Sequence, residues 1–271
     1  MPRSLSRAFL LAAGLGTRLR PLTEKLPKCL VPIGGEPLLS IWIGICASLG
    51  IESVLINTHH GADEVSDWAR SQDSQVAISL AHEETLRGSA GTLSANREFV
   101  RDAGDFYVFY ADNLVHADLP GLRSFHASHD GVVTLGLFRA TKPQECGIVT
   151  LDDAGRVLKF EEKPAHPASD LANAGIFIAR QSLFDLLPTR SFADFGKDVM
   201  PGLTGAPGGI WGYVLDGYIR DIGTIESYQE AQREWPRVIR GESWSAPPAW
   251  NDAAGPERIG PRSKARAAPE I

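Results

Sequence analysis

The chain has 271 residues, 43% hydrophobic and 22% charged, with a formal net charge of −6. That is enough apolar material to bury the core of one large α/β domain or two small ones, and it excludes disorder over most of the chain. The acidic balance argues against a protein that coats nucleic acid, and three cysteines with no C-x-x-C pair exclude a disulfide framework and a structural zinc site.

No apolar run reaches the length of a membrane-spanning helix, so no membrane partner is expected. Arg3 and Arg7 precede an apolar stretch at residues 8–15, which has the outline of a leader. The run is short and passes into Gly16-Thr17-Arg18 rather than a small-residue cleavage site. It reads instead as a buried first strand at residues 9–13, and a cytoplasmic location is expected.

Further along, strand and helix signals alternate. Residues 37–49 are apolar over a broad face and end at Gly50, which predicts a helix with a C-terminal stop. Strands are expected at 53–57, 76–80 and 106–110, with helices at 62–70 and 88–100. This alternation predicts βαβ units and a largely parallel sheet. From about residue 131 the pattern turns β-rich. Strands are expected at 132–138, 148–151, 157–161 and 174–179, with Asp152-Asp153-Ala154-Gly155 supplying a hairpin turn. A helix is expected at 192–200, stopped by Pro201, then one or two strands within 210–221 and a helix at 222–234. Residues 236–271 hold six of the 18 prolines and are expected to be a flexible Pro/Ala-rich tail, within which Trp244 and Trp250 could dock.

Gly14-Leu15-Gly16-Thr17-Arg18 follows the first strand. Glycines there let the backbone approach a phosphate, and exposed N–H groups can hold it. A dinucleotide fingerprint would need a small residue at Leu19, and a P-loop would need Gly-Lys-Ser/Thr; both fail. Arg18, Arg20, Lys25 and Lys28 crowd the loop, and Pro21, Pro27 and Pro32 stiffen it, which suits a polyphosphate.

The longer string from Leu10 through Arg18 to Thr23, continued by Leu26-Pro27-Lys28-Cys29-Leu30-Val31-Pro32, closely resembles the signature of the sugar nucleotidyltransferases, mannose-1-phosphate guanylyltransferases among them. Cys29 stands where that family usually has proline or a small residue. Further motifs follow in the family's order: Asn57-Thr58-His59-His60, Gly88-Ser89-Ala90-Gly91, Ala111-Asp112-Asn113, Cys146-Gly147-Ile148-Val149, Phe160-Glu161-Glu162-Lys163-Pro164, Asn173-Ala174-Gly175 and Asp221-Ile222-Gly223-Thr224. Ala111 replaces a glycine and Arg87 a leucine. The resemblance covers roughly residues 8–232.

It implies a Rossmann-like, GT-A-like mixed sheet flanked by helices, with a smaller β-rich sugar-binding half. Residues 1–235 would be one nucleotidyltransferase domain, its nucleotide half about 1–130 and its sugar-binding half about 131–235. The implied reaction joins a nucleoside triphosphate to a sugar 1-phosphate, with Mg²⁺. Leu11, Ala13, Gly14, Gly16, Thr17, Arg18, Lys28 and Gly88 would bind the nucleotide. Arg18, Lys28, Asp112 and Lys163 would act in catalysis, Lys163 holding the attacking phosphate. Asp112 and Asp221 would share the metal. Gly147, Glu162, Lys163 and Asn173 would bind the sugar. A homo-oligomer is compatible with the family, but no interface is read from the sequence. His59 and His60 are expected to be structural or exposed. Asp63-Glu64 and Asp152-Asp153 are expected to be surface charge.

Thymidylyltransferases of this family usually carry G-L-A-Q-A at the base loop, and bacterial glucose uridylyltransferases a G-x-x-H-A type. Gly88-Ser89-Ala90-Gly91 instead resembles the G-T-A-G of mannose-type guanylyltransferases and of some short uridylyltransferases. The expectation is GTP with a mannose- or heptose-like 1-phosphate. UTP- or dTTP-dependent transfer and a non-catalytic nucleotide-sugar-binding protein stay open. A glycosyltransferase would carry D-x-D, which Asp112-Asn113-Leu114 is not.

Overall fold

Apolar residues alternating across two faces build the central sheet, and they decide which helices cover it. The computed structural model describes residues 5–206 and 208–242. In the first half come β1 (Arg7–Leu11), a small hairpin of β2 (Pro32–Ile33) and β3 (Glu36–Pro37), α1 (Leu38–Ser48), β4 (Ser53–Thr58), α2 (Ala62–Ser71), β5 (Ala77–His82), α3 (Gly88–Ala95) and β6 (Asp105–Tyr110). The second half adds β7 (Asn113–Ala117), α4 (Leu119–His126), β8 (Val133–Arg139), β9 (Gly147–Leu151), β10 (Val157–Glu162) and β11 (Leu171–Arg180). After a π-helical turn at Phe195–Val199 come α5 (Met200–Leu203), β12 (Ile210–Val214), β13 (Gly217–Asp221) and α6 (Ile225–Val238).

Among the described residues nine strands form one sheet, in the order β10-β9-β11-β6-β1-β4-β5, with β8 paired to β11 and β12 to β8. β1 lies parallel between β4 and β6, Phe9 facing Leu55 on one side and Val108 on the other. β11 runs antiparallel to β6 and joins the parallel half to the β-rich half. The two-residue period sorts the side chains. Ala8, Leu10, Tyr107 and Phe109 face α1, α2, α4 and α6, whereas Phe9, Phe106 and Val108 face α3 and the segments after β11. Trp42 of α1 is fully buried, stacks on Phe109 at 4.8 Å and donates its Nε1–H to the Asn113 carbonyl at 2.9 Å. Helix α1 is thereby pinned to the strand that carries part of the site.

The expected alternation is present, and Gly50 takes the left-handed conformation (φ 72°) that closes α1. Several local expectations are corrected. The helix expected at 88–100 ends at Ala95, where the Asn96 side chain bonds back to the Thr92 carbonyl, and a 3₁₀ turn (Arg97–Val100) follows. Pro201 does not stop a helix. It sits in the first turn of α5, where a missing N–H costs nothing. Strand β7, helix α4 and the β2–β3 hairpin are additional elements. The final helix starts at Ile225, capped by the Thr224 hydroxyl, and continues through Pro236 to Val238. Helix therefore occupies the first residues assigned to the tail, while Trp244 and Trp250 lie outside the described residues. Among the described residues no helix is long and apolar enough to cross a membrane.

Candidate active site

The parallel strands β1 and β6 deliver their carboxyl ends to one crevice, the usual place for ligands in open α/β sheets. The backbone leaving β1 is fixed at once. Ala12 N–H donates to Asn57 Oδ1 at 2.7 Å, and Leu11 accepts from Ala111 N–H at 3.0 Å. Ala13 is buried, whereas Gly14, Thr17 and Arg18 face solvent. Gly16 is left-handed and opens a 3₁₀ turn (Thr17–Leu19), and its carbonyl accepts from Thr23 Oγ1 at 2.7 Å. The proline-stiffened loop then delivers Lys28 inward.

Lys28 is only 8% exposed, an unusual position for a lysine that requires partners. Its Nζ lies 2.8 Å from Asp112 Oδ2 and 3.4 Å from Asp221 Oδ1. The two carboxylates are adjacent because β7 and β13 pair antiparallel, with Asn113 opposite Asp221 and Ile222 N–H donating to the Asp112 carbonyl at 2.9 Å. A backbone ladder, not a loop, sets their spacing. Burial alone would lower the Lys28 pKa, but the Asp112 and Asp221 carboxylates outweigh it and raise the pKa above the usual lysine value. Asp221 shows the reverse balance. Its side chain is 57% exposed, yet it lies in a concave cleft whose protein walls raise its pKa; Lys28 and Arg18 oppose that rise, and Asp112 adds to it. Arg18 thus acts on the site through charge while standing in solvent. Cys29 points the other way, 2% exposed, its thiol pushed up to about 12 by burial.

A cavity of about 200 Å³ opens beside the two aspartates, lined by residues that include Asp112, Gly147, Glu162, Asn173, Asp194 and Asp221. Gly147 opens β9 and Glu162 closes β10, directly opposite in the ladder. Burial raises the Glu162 carboxyl, neighbouring Lys163 pulls it back and Asp194 pushes it further up. Lys163 is exposed and left-handed at φ 51°, its N–H donating to the Cys146 carbonyl at 2.9 Å. That backbone conformation is strained for a non-glycine residue and turns the chain sharply just past Glu162. Asn173 Oδ1 accepts from Gly175 N–H at 3.0 Å.

Gly88 is held by the opposite half of the chain. Its φ is 70°, and an added Cβ would stand 2.5 Å from the Ala193 carbonyl oxygen. That same carbonyl accepts from Ala90 and Gly91 N–H, and Ala193 N–H donates to the Arg87 carbonyl. Below this loop lies Glu83, 2% exposed, which the sequence reading missed. Its carboxylate accepts from Asn57 Nδ2 (3.0 Å), Arg87 N–H (2.9 Å) and Thr92 Oγ1. The Asn57 side chain thereby links the loop after β1 to the loop before α3. Asp194 was missed as well. Aspartate is a favoured helix-start residue, and the Asp194 side chain does cap Lys197 N–H. His59 bonds to the Glu83 carbonyl and His60 is exposed, as expected. Asp63 and Glu64 lie exposed in the first turn of α2, and Asp152 closes its turn by accepting from Ala154 and Arg156 N–H.

Asp112 and Asp221 fit a hard divalent cation. They are oxygen ligands on a rigid ladder, and the Lys28 ammonium already lies against both as a positive counter-charge. No group of three or more His, Cys, Asp and Glu side chains able to hold a metal occurs among the described residues. A two-carboxylate site suits an ion that takes its other ligands from water and phosphate.

Three curated relatives share this stretch of chain. A mannose-1-phosphate guanylyltransferase of Mycobacterium tuberculosis is 34% identical over 86% of this chain and 65% of its own length. A UTP–glucose-1-phosphate uridylyltransferase of Synechocystis is 31% identical over 84% and 62%. A glucose-1-phosphate adenylyltransferase of Fusobacterium nucleatum is 30% identical over 84% and 66%. The chain therefore spans just under two thirds of the length of each. HddC of Yersinia pseudotuberculosis, solved with GMP-PN, shares the fold with a TM-score of 0.70 at 22% identity, over 84% of this chain and 99% of that one. A Bacillus anthracis protein solved with a sucrose gives 0.75 at 22%, over 89% and 97%. Residues 7–237, from the first strand to the end of the last helix, match one family throughout, and the chain belongs to the nucleotidyl transferases.

Proposed function

We propose that this chain transfers a nucleotidyl group from a nucleoside triphosphate to a sugar 1-phosphate, releasing pyrophosphate. The observation that carries the reading is the Lys28 ammonium between Asp112 and Asp221, beside a cavity with room for one monosaccharide. A phosphate oxygen of the sugar 1-phosphate attacks the α-phosphorus, one P–O bond forms, and the bond to the departing pyrophosphate breaks. Such a step needs alignment and charge neutralisation more than covalent help. Arg18 and Lys28 grip the triphosphate and stabilise the leaving pyrophosphate, Arg as a planar fork and Lys as a compact charge. Lys163 holds the attacking phosphate, and Gly147, Glu162 and Asn173 hold the sugar. Leu11, Ala13, Gly14, Gly16, Thr17 and Gly88 carry the nucleotide. Asp112 and Asp221 would hold a Mg²⁺, whose charge offsets that of the phosphate oxygens. For the base and sugar we favour GTP with a mannose- or heptose-like 1-phosphate, on the Gly88-Ser89-Ala90-Gly91 loop and the likeness to the mycobacterial guanylyltransferase. Uridylyl and adenylyl relatives at similar identity make the base the first thing to test.

The test is a pyrophosphate-release assay with Mg²⁺, crossing GTP, UTP, dTTP, CTP and ATP with a panel of sugar 1-phosphates. Release confined to GTP with a mannose- or heptose-type partner is the expected result. Release with another base reassigns the nucleotide and keeps the reaction. Folded protein that binds a nucleotide but releases nothing with any pair overturns the catalytic reading.

A further inference from the structure

The central sheet ends differently at its two margins. Strand β10 carries Lys159 and Glu161, paired at 2.8 Å, charges of the kind that keep an open edge from pairing. Among the described residues no strand lies beyond β5, and its sequence, Ala-Ile-Ser-Leu-Ala-His, has no lysine, no acid and no proline. Ala77 N–H donates to the Glu52 carbonyl and Glu83 N–H to the Thr58 carbonyl, both toward β4. By the two-residue period, the N–H and C=O groups of Ile78, Leu80 and His82 point away from β4, to the open side. The Leu80 side chain is 38% exposed at the middle of that row.

Helix α2 borders the same margin. Its Trp68 turns toward α1, the Nε1–H donating to Ser40 Oγ at 3.0 Å. At about 100° per residue, the flank turned away from α1 carries Ala62, Ser66 and Arg70, with Asp63 next to them. A hollow of about 640 Å³ opens between this flank and the edge, lined by residues that include Ala62, Asp63, Ser66, Leu80 and His82. Ala62 and Ser66 are small enough for a second helix to approach. Asp63 stands exposed in the first turn of α2 and Arg70 in the last. Arg70 bonds Ser66 Oγ at 2.7 Å and pairs with Asp67, and its five N–H groups leave donors to spare.

We propose that this margin is the interface of a homodimer: β5 pairs antiparallel with β5 of a second copy about a two-fold axis at Leu80, and α2 packs antiparallel on the second α2. With Leu80 opposite its own copy, Ile78 lies opposite the partner's His82. These are the residues whose backbone groups face outward, so each such pair exchanges two N–H···O bonds. A crossover helix lies over the gap between its two strands. The two α2 axes therefore stand two strand spacings apart, about 10 Å, which is packing distance for helices. The two-fold axis reverses the second helix, so Asp63 faces the partner's Arg70 at both ends of the contact. One patch complements itself, as a closed two-fold interface requires. The interface stands apart from the nucleotidyltransferase reading, and its test reads mass rather than turnover.

The experiment is sedimentation equilibrium of the full chain across the micromolar range, with circular dichroism to establish that each variant is folded. The unmodified protein should sediment as a dimer or as a monomer in equilibrium with one. Leu80→Lys sets two ammonium groups against each other at the axis and should raise the dimer Kd by about 100-fold or more. Arg70→Asp opposes like charges at both ends and should raise it by about tenfold. Adding Asp63→Arg to Arg70→Asp rebuilds the pair in the opposite sense and should recover most of that loss. This rescue carries the test if Leu80→Lys fails to fold. A monomer at every concentration overturns the proposal. A dimer with unchanged Kd in folded Leu80→Lys overturns it too. So does a dimer that survives Leu80→Lys but is lost on removing residues 243–271, since the contact then belongs to the tail.

Discussion

The two halves of the cleft are built by opposite means. On the nucleotide side, parallel strands end in loops that hold themselves together over short stretches of sequence: Gly16 bonds Thr23, and Glu83 gathers Arg87 and Thr92. On the sugar side, the same density of site residues is reached through antiparallel ladders and distant partners. Gly147 meets Glu162 across a hairpin, Asp194 meets Ser89, and Asp112 meets Asp221 through two strands about a hundred residues apart. The exception on the nucleotide side is the loop before α3, which bonds to the distant Ala193 peptide. The sugar side ties its geometry to the register of the whole sheet.

The sharpest way to break this comparison is at Lys28, which serves both sides. Lys28→Ala should cut turnover on the order of 10²- to 10³-fold, as expected for loss of one transition-state donor, measured as pyrophosphate release at saturating substrates. Near-normal turnover would show that the ammonium between the aspartates is only a structural counter-charge. Glu162→Gln tests the sugar side alone. It should raise KM for the sugar 1-phosphate by about tenfold and leave the nucleotide KM in place; a matching rise in both would erase the division drawn here.

A thermal melt of Gly88→Ala probes the seam between the halves. The side chain would meet the Ala193 carbonyl from a left-handed backbone, so a loss of about 1–3 kcal/mol is expected. An unshifted melting temperature would mean that residues 191–194 yield easily. The smallest effect lies far from the cleft. His129 stacks on Trp211 at 4.4 Å, and its pKa is lowered to about 4 by burial and by the charges of His126 and Arg180, with Asp130 opposing. The folded state thus resists protonating a group that the unfolded chain protonates near pH 6.5. Stability is full above that value and declines as pH falls toward 4. Melting curves of His129→Gln should show a shallower decline over that window than those of the unmodified protein.

What the sequence made readable follows the same division. Arg18 and Lys28 sit in one basic, proline-stiffened string that suits a polyphosphate, but the roles of Lys28 and of Asp112, just past an apolar strand, come from the family resemblance. The pairing of Asp112 with Asp221 depends on β7, whose Asn113–Ala117 stretch is short and half polar and carries no strand signal of its own. Only the family resemblance joined the two carboxylates before the ladder was seen. A helix expected from residue 192 puts Asp194 inside its first turn, whereas the structure starts the turn at Phe195 and makes Asp194 its capping residue. Glu83 escaped because a glutamate just past an exposed edge strand ordinarily faces water, and nothing local announces that three donors converge on it.

If the loop at residues 87–91 contacts the base, as proposed, the Ala193 carbonyl that holds the first turn of α3 bears on any exchange of base preference between relatives. The loop at residues 87–91 owes its shape to a peptide group about a hundred residues downstream. Transplanting that loop by itself would move the letters and leave the mould behind; the exchange must carry residues 191–194 along with it.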